Sequence, residues 1–145
     1  MATTSTTPAP AAPVPATSRS VWIGRVLTGL FAAFMLGASI APKLLGMPVA
    51  AETLVALGWP AGHVLTIGLL ELAFLALYLF PRTAMLGAVL MTALLGGAMA
   101  AHVRVGSPML SHTLFGVYLG LFMWGGLWLR LPGLRALFPI AQERN

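Results

Sequence analysis

The sequence predicts an all-α membrane protein: an antiparallel bundle of four transmembrane helices, with a short interfacial half-helix between the first two spans and a disordered N-terminal tail. Three observations predict it. Of the 145 residues, 59% are hydrophobic and 8% charged, whereas soluble domains carry roughly 25% charged residues. So few charges could not cover a water-facing surface. The apolar residues fall into four long runs, each close to the ~20 residues that cross ~30 Å of hydrocarbon as a helix. Prolines stand between the runs, at Pro42, Pro48, Pro60, Pro81, Pro108 and Pro132, where they break helices. The mean hydropathy of +0.92 agrees.

The elements follow in order. Residues 1–20, rich in Pro, Ala, Thr and Ser, lack large apolar side chains and a 3.6-residue period. They cannot offset the entropy of ordering and read as a tail. It is not a signal peptide, because the charged and apolar regions come only after it. The spans are then about 21–41, 62–80, 83–101 and 113–129, within one membrane domain over 21–131. A short cytoplasmic tail, 132–145, follows. The link between spans one and two holds a semi-apolar stretch, Val49 to Leu57. It is too short to cross, so it should lie at the interface, with Trp59 at headgroup depth. The Pro81-Arg82 link is a near-direct reversal, and short links make neighbouring helices antiparallel.

Small residues recur at helical spacing, and in lipid these let backbones approach closely. Span one has Gly29, Ala33, Gly37 and Ala41; span three has Ala84, Ala88, Thr92, Gly96 and Ala100; span four has Gly116 and Gly120. They predict tight packing within the bundle and also suit a homo-oligomer.

Charge sets orientation. Arg19, Arg25, Arg82, Arg130, Arg135 and Arg144 fall on the side of the termini, against Lys43 and Arg104 on the other. The positive-inside rule then puts both termini in the cytoplasm. The net charge of +5 is accounted for by lipid headgroups as partners, with no nucleic acid implied. With no cysteine, the chain has no thiol chemistry, disulfide or Cys-held cluster.

One residue stands out. Glu71 interrupts the run "IGLLELAFLALYLF", about 13 Å down span two. A lone carboxylate there must be paired or take up a proton, so it is a candidate proton or ligand site. Gly68 and Tyr78 share its helix face, which should look into the bundle. Lys43 ends span one, close to Ser39. It either snorkels to the interface or turns inward to Glu71, and its ~6 Å stem needs help from helix tilt to get there. His102 and Arg104 close span three and point to different sides of the helix end. His102 is a candidate proton or ligand group. His63 and His112 read as wet interfacial residues. The histidine spacing matches no metal motif, so no metal is expected and haem has little support. The chain has no Asp, hence no Ser-His-Asp set, and no Gly-rich phosphate loop. A soluble-type hydrolase or nucleotide enzyme is therefore unsupported; the sequence leans to a non-catalytic subunit and leaves catalysis open.

Four pieces, in this order and spacing, resemble the DoxX-like family of small four-span bacterial membrane proteins: Ser39 to Leu44 ("S-x-x-x-K-L"), Leu57 to Pro60 ("LGWP"), Gly68 to Leu72 ("GLLEL") and Ala100 to Pro108 ("AAHVRVGSP"). The likeness spans about 26–130. One departure is Ala41-Pro42 before the lysine, where the family pattern has a glycine-containing step. The resemblance implies a helical bundle in the cytoplasmic membrane, linked to respiratory or redox complexes, including quinone-coupled sulfur oxidation and oxidative-stress complexes. By position, Lys43, Glu71, His102 and Arg104 match the family's recurring polar residues. The expectation that follows is an accessory subunit of a redox or quinone-linked complex. Its outer cavity, with Glu71 at the bottom and Lys43 and His102 near the mouth, would bind a ligand such as a quinone headgroup. Two alternatives stand beside it: a small proton-coupled transporter using Glu71, and a structural assembly factor.

Overall fold

The structure, a computed structural model, describes residues 18–137. The expected N-terminal tail up to residue 17 and the chain beyond residue 137 lie outside the described residues. Helix α1 (Ser18–Phe34) runs into a π-helical segment, Met35–Ile40, and then into the single turn α2 (Ala41–Leu44). Helix α3 (Pro48–Ala56) follows. A 3₁₀ turn at Ala61–His63 leads into α4 (Val64–Leu79). Helix α5 is Ala84–Arg104. A second π segment, Met109–Thr113, precedes α6 (Phe115–Arg130), and α7 (Pro132–Leu137) completes the described chain. No strand occurs among the described residues.

Four helices are long and apolar enough to cross a membrane: Arg19–Leu44, Ala61–Leu79, Ala84–Arg104 and Met109–Arg130. The interfacial half-helix expected from Val49 is α3. Three boundaries differ from the sequence expectation, and two differ because of proline. Pro42 does not end span one. The π segment before it widens the backbone turn, and the Ala41 N–H bonds back to the Leu36 carbonyl, five residues earlier. Proline clashes with the carbonyl four residues before it, and the wider turn gives that carbonyl room. The helix therefore continues through Lys43. Pro108 does separate spans three and four, but it caps a π turn in which Leu114 N–H bonds to Met109 O at 2.8 Å, so span four begins directly after it at Met109. Span three runs on to Arg104, and the first residues assigned to the C-terminal tail form α7, with Leu134 buried.

The helices pack in a ring. Helix α1 lies along α6, α6 on α5 and α5 on α4, and α4 closes the ring against the first π segment and α2. At the end away from the termini, Phe34 and Phe115 bridge spans one and four with ring centroids 5.4 Å apart. Large apolar residues such as Trp22, Leu30, Leu69, Leu86 and Leu121 face outward, as a lipid solvent demands.

The buried centre is built around Tyr78, which is fully enclosed, together with Phe31, Met91, Met123 and Leu127. The Tyr78 hydroxyl donates to the Met123 carbonyl at 2.8 Å. Its one proton is thereby used, so the Thr28 hydroxyl donates to it at 3.2 Å. Phe31 meets the ring edge-on at 5.5 Å, and the Arg130 guanidinium lies 5.1 Å from the ring centroid. Arg130 also donates to the Tyr78 carbonyl at 3.0 Å. A buried phenol thus has every hydrogen bond it needs.

Close helix contacts fall at glycines other than most of those in the expected stripes. A Cβ at Gly29, Gly37, Gly96 or Gly120 would meet nothing within 4 Å. A Cβ at Gly24 would lie 2.8 Å from Gly126 O, and one at Gly126 would lie 2.8 Å from Thr28 Oγ1. One at Gly87 would overlap the Tyr78 backbone nitrogen. Spacing alone marks which residues share a face, not which face meets a neighbour. Gly87→Ala is therefore expected to cost about 1–3 kcal/mol through overpacking. Gly29→Ala should be neutral or slightly stabilising, since alanine is the better helix former. Thermal unfolding in detergent checks this: the midpoint falls for Gly87→Ala and does not fall for Gly29→Ala.

Candidate functional site

The site begins with the π segment. It carries Ser39, and the turn after it carries Lys43. At Gly68 on α4 a Cβ would lie 2.8 Å from the Lys43 Cβ. Because glycine has none, α2 lies directly on α4, one turn before Glu71. Close backbone approach thus supplies the reach that the stem length alone did not. Lys43 Nζ donates to Glu71 Oε1 at 3.1 Å and Oε2 at 3.0 Å, to Ser39 Oγ at 2.7 Å and to the Ser39 carbonyl at 3.1 Å. The Ser39 hydroxyl, accepting from Lys43, gives its own proton to Glu71 Oε2 at 3.0 Å. Of the two readings of Lys43, inward pairing is the one the structure takes.

Burial makes the pairing consequential. The Lys43 and Glu71 side chains are 17% and 8% exposed. Charges in such a place are tolerated only when paired and fully hydrogen-bonded. The three protons of Lys43 are all engaged. Glu71 keeps acceptor capacity, since two carboxylate oxygens offer about four sites.

Ser39, Lys43 and Glu71 open onto a cavity of about 730 Å³. Its walls are mainly apolar, from Phe34, Ile67, Leu70, Leu94 and Leu119 among others. His102 lines it as expected. His63, His112 and Trp59, read from sequence as interfacial, line it too. His102 Nδ1 is 3.0 Å from Ser107 Oγ, and His112 Nδ1 is 2.8 Å from Ser111 Oγ. The two imidazole centroids are 5.8 Å apart. Trp59 meets His63 edge-on at 6.2 Å. Among the described residues, no group of three or more His, Cys, Asp or Glu could hold a metal ion.

Arg104 is the one candidate that does not line the cavity. It acts on the wall instead. Helix α3 contributes Val49, Thr53 and Leu54 to that wall. It is flanked by Gly46 (φ 65°) and Gly58 (φ 76°), a backbone state that glycine adopts without strain. Arg104 Nη2 donates to the Leu57 carbonyl at 2.6 Å, and a Cβ at Gly58 would stand 2.9 Å from that same nitrogen. Gly58 therefore serves both the turn and the latch. The sequence signals for this arrangement were glycines: Gly46, Gly58 of "LGWP" and Gly68 of "GLLEL".

These features define a class: a four-helix membrane protein with a largely apolar cavity and a buried Lys–Glu pair in its wall. A family model for the DoxX-like family matches residues 26–126, well over half of the chain. The chain belongs to the DoxX-like family. No curated protein and no solved structure matches it.

Two outcomes follow from the geometry. Glu71→Leu leaves a buried ammonium unpaired and should cost about 3–5 kcal/mol, while adding Lys43→Met should recover much of it; detergent unfolding midpoints of the two variants and the wild type check the order. Arg104→Gln should release the Leu57 carbonyl and loosen α3. Because the chain has no native cysteine, a cysteine placed at Ala98, on the cavity wall, reports this cleanly. A water-soluble maleimide should react with it about tenfold faster in the Arg104→Gln background, the factor equivalent to one charge-assisted hydrogen bond.

Proposed function

We propose that this protein binds a small amphiphile, with a polar head and an apolar body, as an accessory membrane subunit rather than as a self-sufficient enzyme. The observation that carries this reading is the cavity of about 730 Å³, apolar over most of its wall and polar at Ser39, Lys43 and Glu71. Its volume lies within the ~300–1,000 Å³ of ligand pockets, and such pockets are apolar with a few placed polar groups. A quinone or quinol suits that pattern: quinone carbonyls accept from imidazole, quinol hydroxyls donate to the acceptor sites that Glu71 keeps, and the isoprenoid tail fits an apolar wall. Proton exchange with a quinol would fall to His102, which lines the same space, while the Lys43–Glu71 pair fixes the polar part of the wall. Association with partner subunits of a redox complex belongs to the same reading.

The proton-coupled transporter is less well supported. Glu71 is already compensated by Lys43 at 3.0 Å. Protonating the carboxylate would strand the ammonium, so a transport cycle would have to move both groups. The orientation belongs to the proposal too. Arg19, Arg25, Arg82, Arg130 and Arg135 lie toward the ends of the spans that carry the termini. This supports termini on the cytoplasmic side of an inner membrane.

The experiment is purification in native lipid, followed by mass spectrometry and visible absorbance. An isoprenoid quinone should co-purify with the wild type. It should be depleted in Glu71→Gln and in Ala38→Trp, which fills the cavity. A wild type free of quinone, or variants that retain it equally, would overturn the reading. A Soret band would replace quinone with haem.

A further inference from the structure

The wall formed by α5 and the second π segment gathers a different chemistry. His102 is in the last turn of α5. Met99 precedes it by three residues and so shares its helix face. His112 comes from the π segment before α6, four residues ahead of Gly116. A Cβ at Gly116 would lie 2.8 Å from Met99 Cγ and 2.9 Å from Met99 Sδ. The thioether thus occupies the gap that Gly116 leaves, on a residue three before His102 and against a residue four after His112. Met99, His102 and His112 all line the cavity.

We propose that His102, His112 and Met99 form a binding site for a soft monovalent cation, Cu(I). Two imidazoles holding one metal through Nε2 at about 2.0–2.1 Å place their centroids about 5–6 Å apart, and these are 5.8 Å apart. Each Nδ1 is within hydrogen-bond distance of a neighbouring serine hydroxyl, Ser107 or Ser111. When Nδ1–H donates there, Nε2 carries the free lone pair, and the bond orients the ring, as the outer partners of metal-binding histidines do. The donor set decides the ion. Imidazole and thioether are suited to Cu(I), while carboxylate and carbonyl oxygens suit Mg²⁺ or Ca²⁺. All three ligands are neutral. The spacing of the histidines in the chain carries no metal motif because the third ligand is a methionine, brought in by a glycine on the next helix.

The test is a Cu(I) titration of the purified full-length protein in detergent, under anaerobic reducing conditions, against the chromogenic competitor bicinchoninate. The wild type should take up one equivalent. His102→Gln and His112→Gln should each weaken binding by more than the roughly 10–100-fold that loss of an orienting partner costs. Met99→Leu conserves volume and tolerates the fold best. It should weaken Cu(I) binding while removing sulfur from the coordination sphere seen by X-ray absorption. Affinity should fall on acidification, because protons compete for imidazole. Wild type that competes no better than the His102→Gln/His112→Gln double variant overturns the proposal, as does a sulfur signal unchanged in Met99→Leu. Neither result touches the amphiphile reading, which needs no metal.

Discussion

The ion pair between Lys43 and Glu71 is the constraint around which the far end of the bundle is arranged. A carboxylate in the middle of an apolar helix needs a cation close by, and the chain offers one lysine. Bringing it there has structural consequences at each step. Span one must not stop at Pro42, so its backbone widens into a π segment. Helix α4 must present no side chain where the lysine stem lies, so residue 68 is glycine. Ser39 then serves as acceptor for the amine and donor to the acid. Removing any one of these leaves a charge or a hydroxyl unsatisfied in a water-poor place.

The architecture was legible in the sequence because hydropathy reports lipid contact directly. Four apolar runs of spanning length admit few other solutions, and α3 was visible as a run too short to cross. The inward face of span two was legible as well, since Gly68, Glu71 and Tyr78 fall on one helical stripe and all are buried. Helix ends were less legible. Proline was read as a breaker at residues 42 and 108; Pro108 does separate spans three and four, whereas at Pro42 the preceding π turn lets the helix continue. Glycine contacts were misassigned for a different reason. A stripe at i+4 spacing looks alike whether it meets a neighbour, as Gly116 does, or faces outward, as Gly29 does.

The candidate site was half legible. A buried acid in an apolar run announces itself by its cost, and Lys43, Ser39 and His102 followed from it. His63 and His112 did not, because a histidine at a helix start has the same sequence signature whether it faces headgroups or a cavity. Arg104 was placed with the site on its charge, yet it serves a backbone carbonyl on the neighbouring loop. Two residues apart on one helix end, His102 lines the cavity while Arg104 holds its wall, an instance of how sharply direction changes over two helical positions.

The π segment in span one carries a geometric consequence of its own. A π turn absorbs one additional residue, and one residue on an α-helix amounts to a rotation of about 100°. Before the segment, the helix packs along α6; within and after it, the chain packs along α4. The bulge acts as a phase shifter, turning one continuous rod so that its two halves address different partners. Deleting Leu36 or Gly37, which lie in the segment but not on the cavity wall, would restore the plain helical phase downstream. Lys43 would then swing away from α4, and the cavity would lose its charged wall without any of its residues being changed.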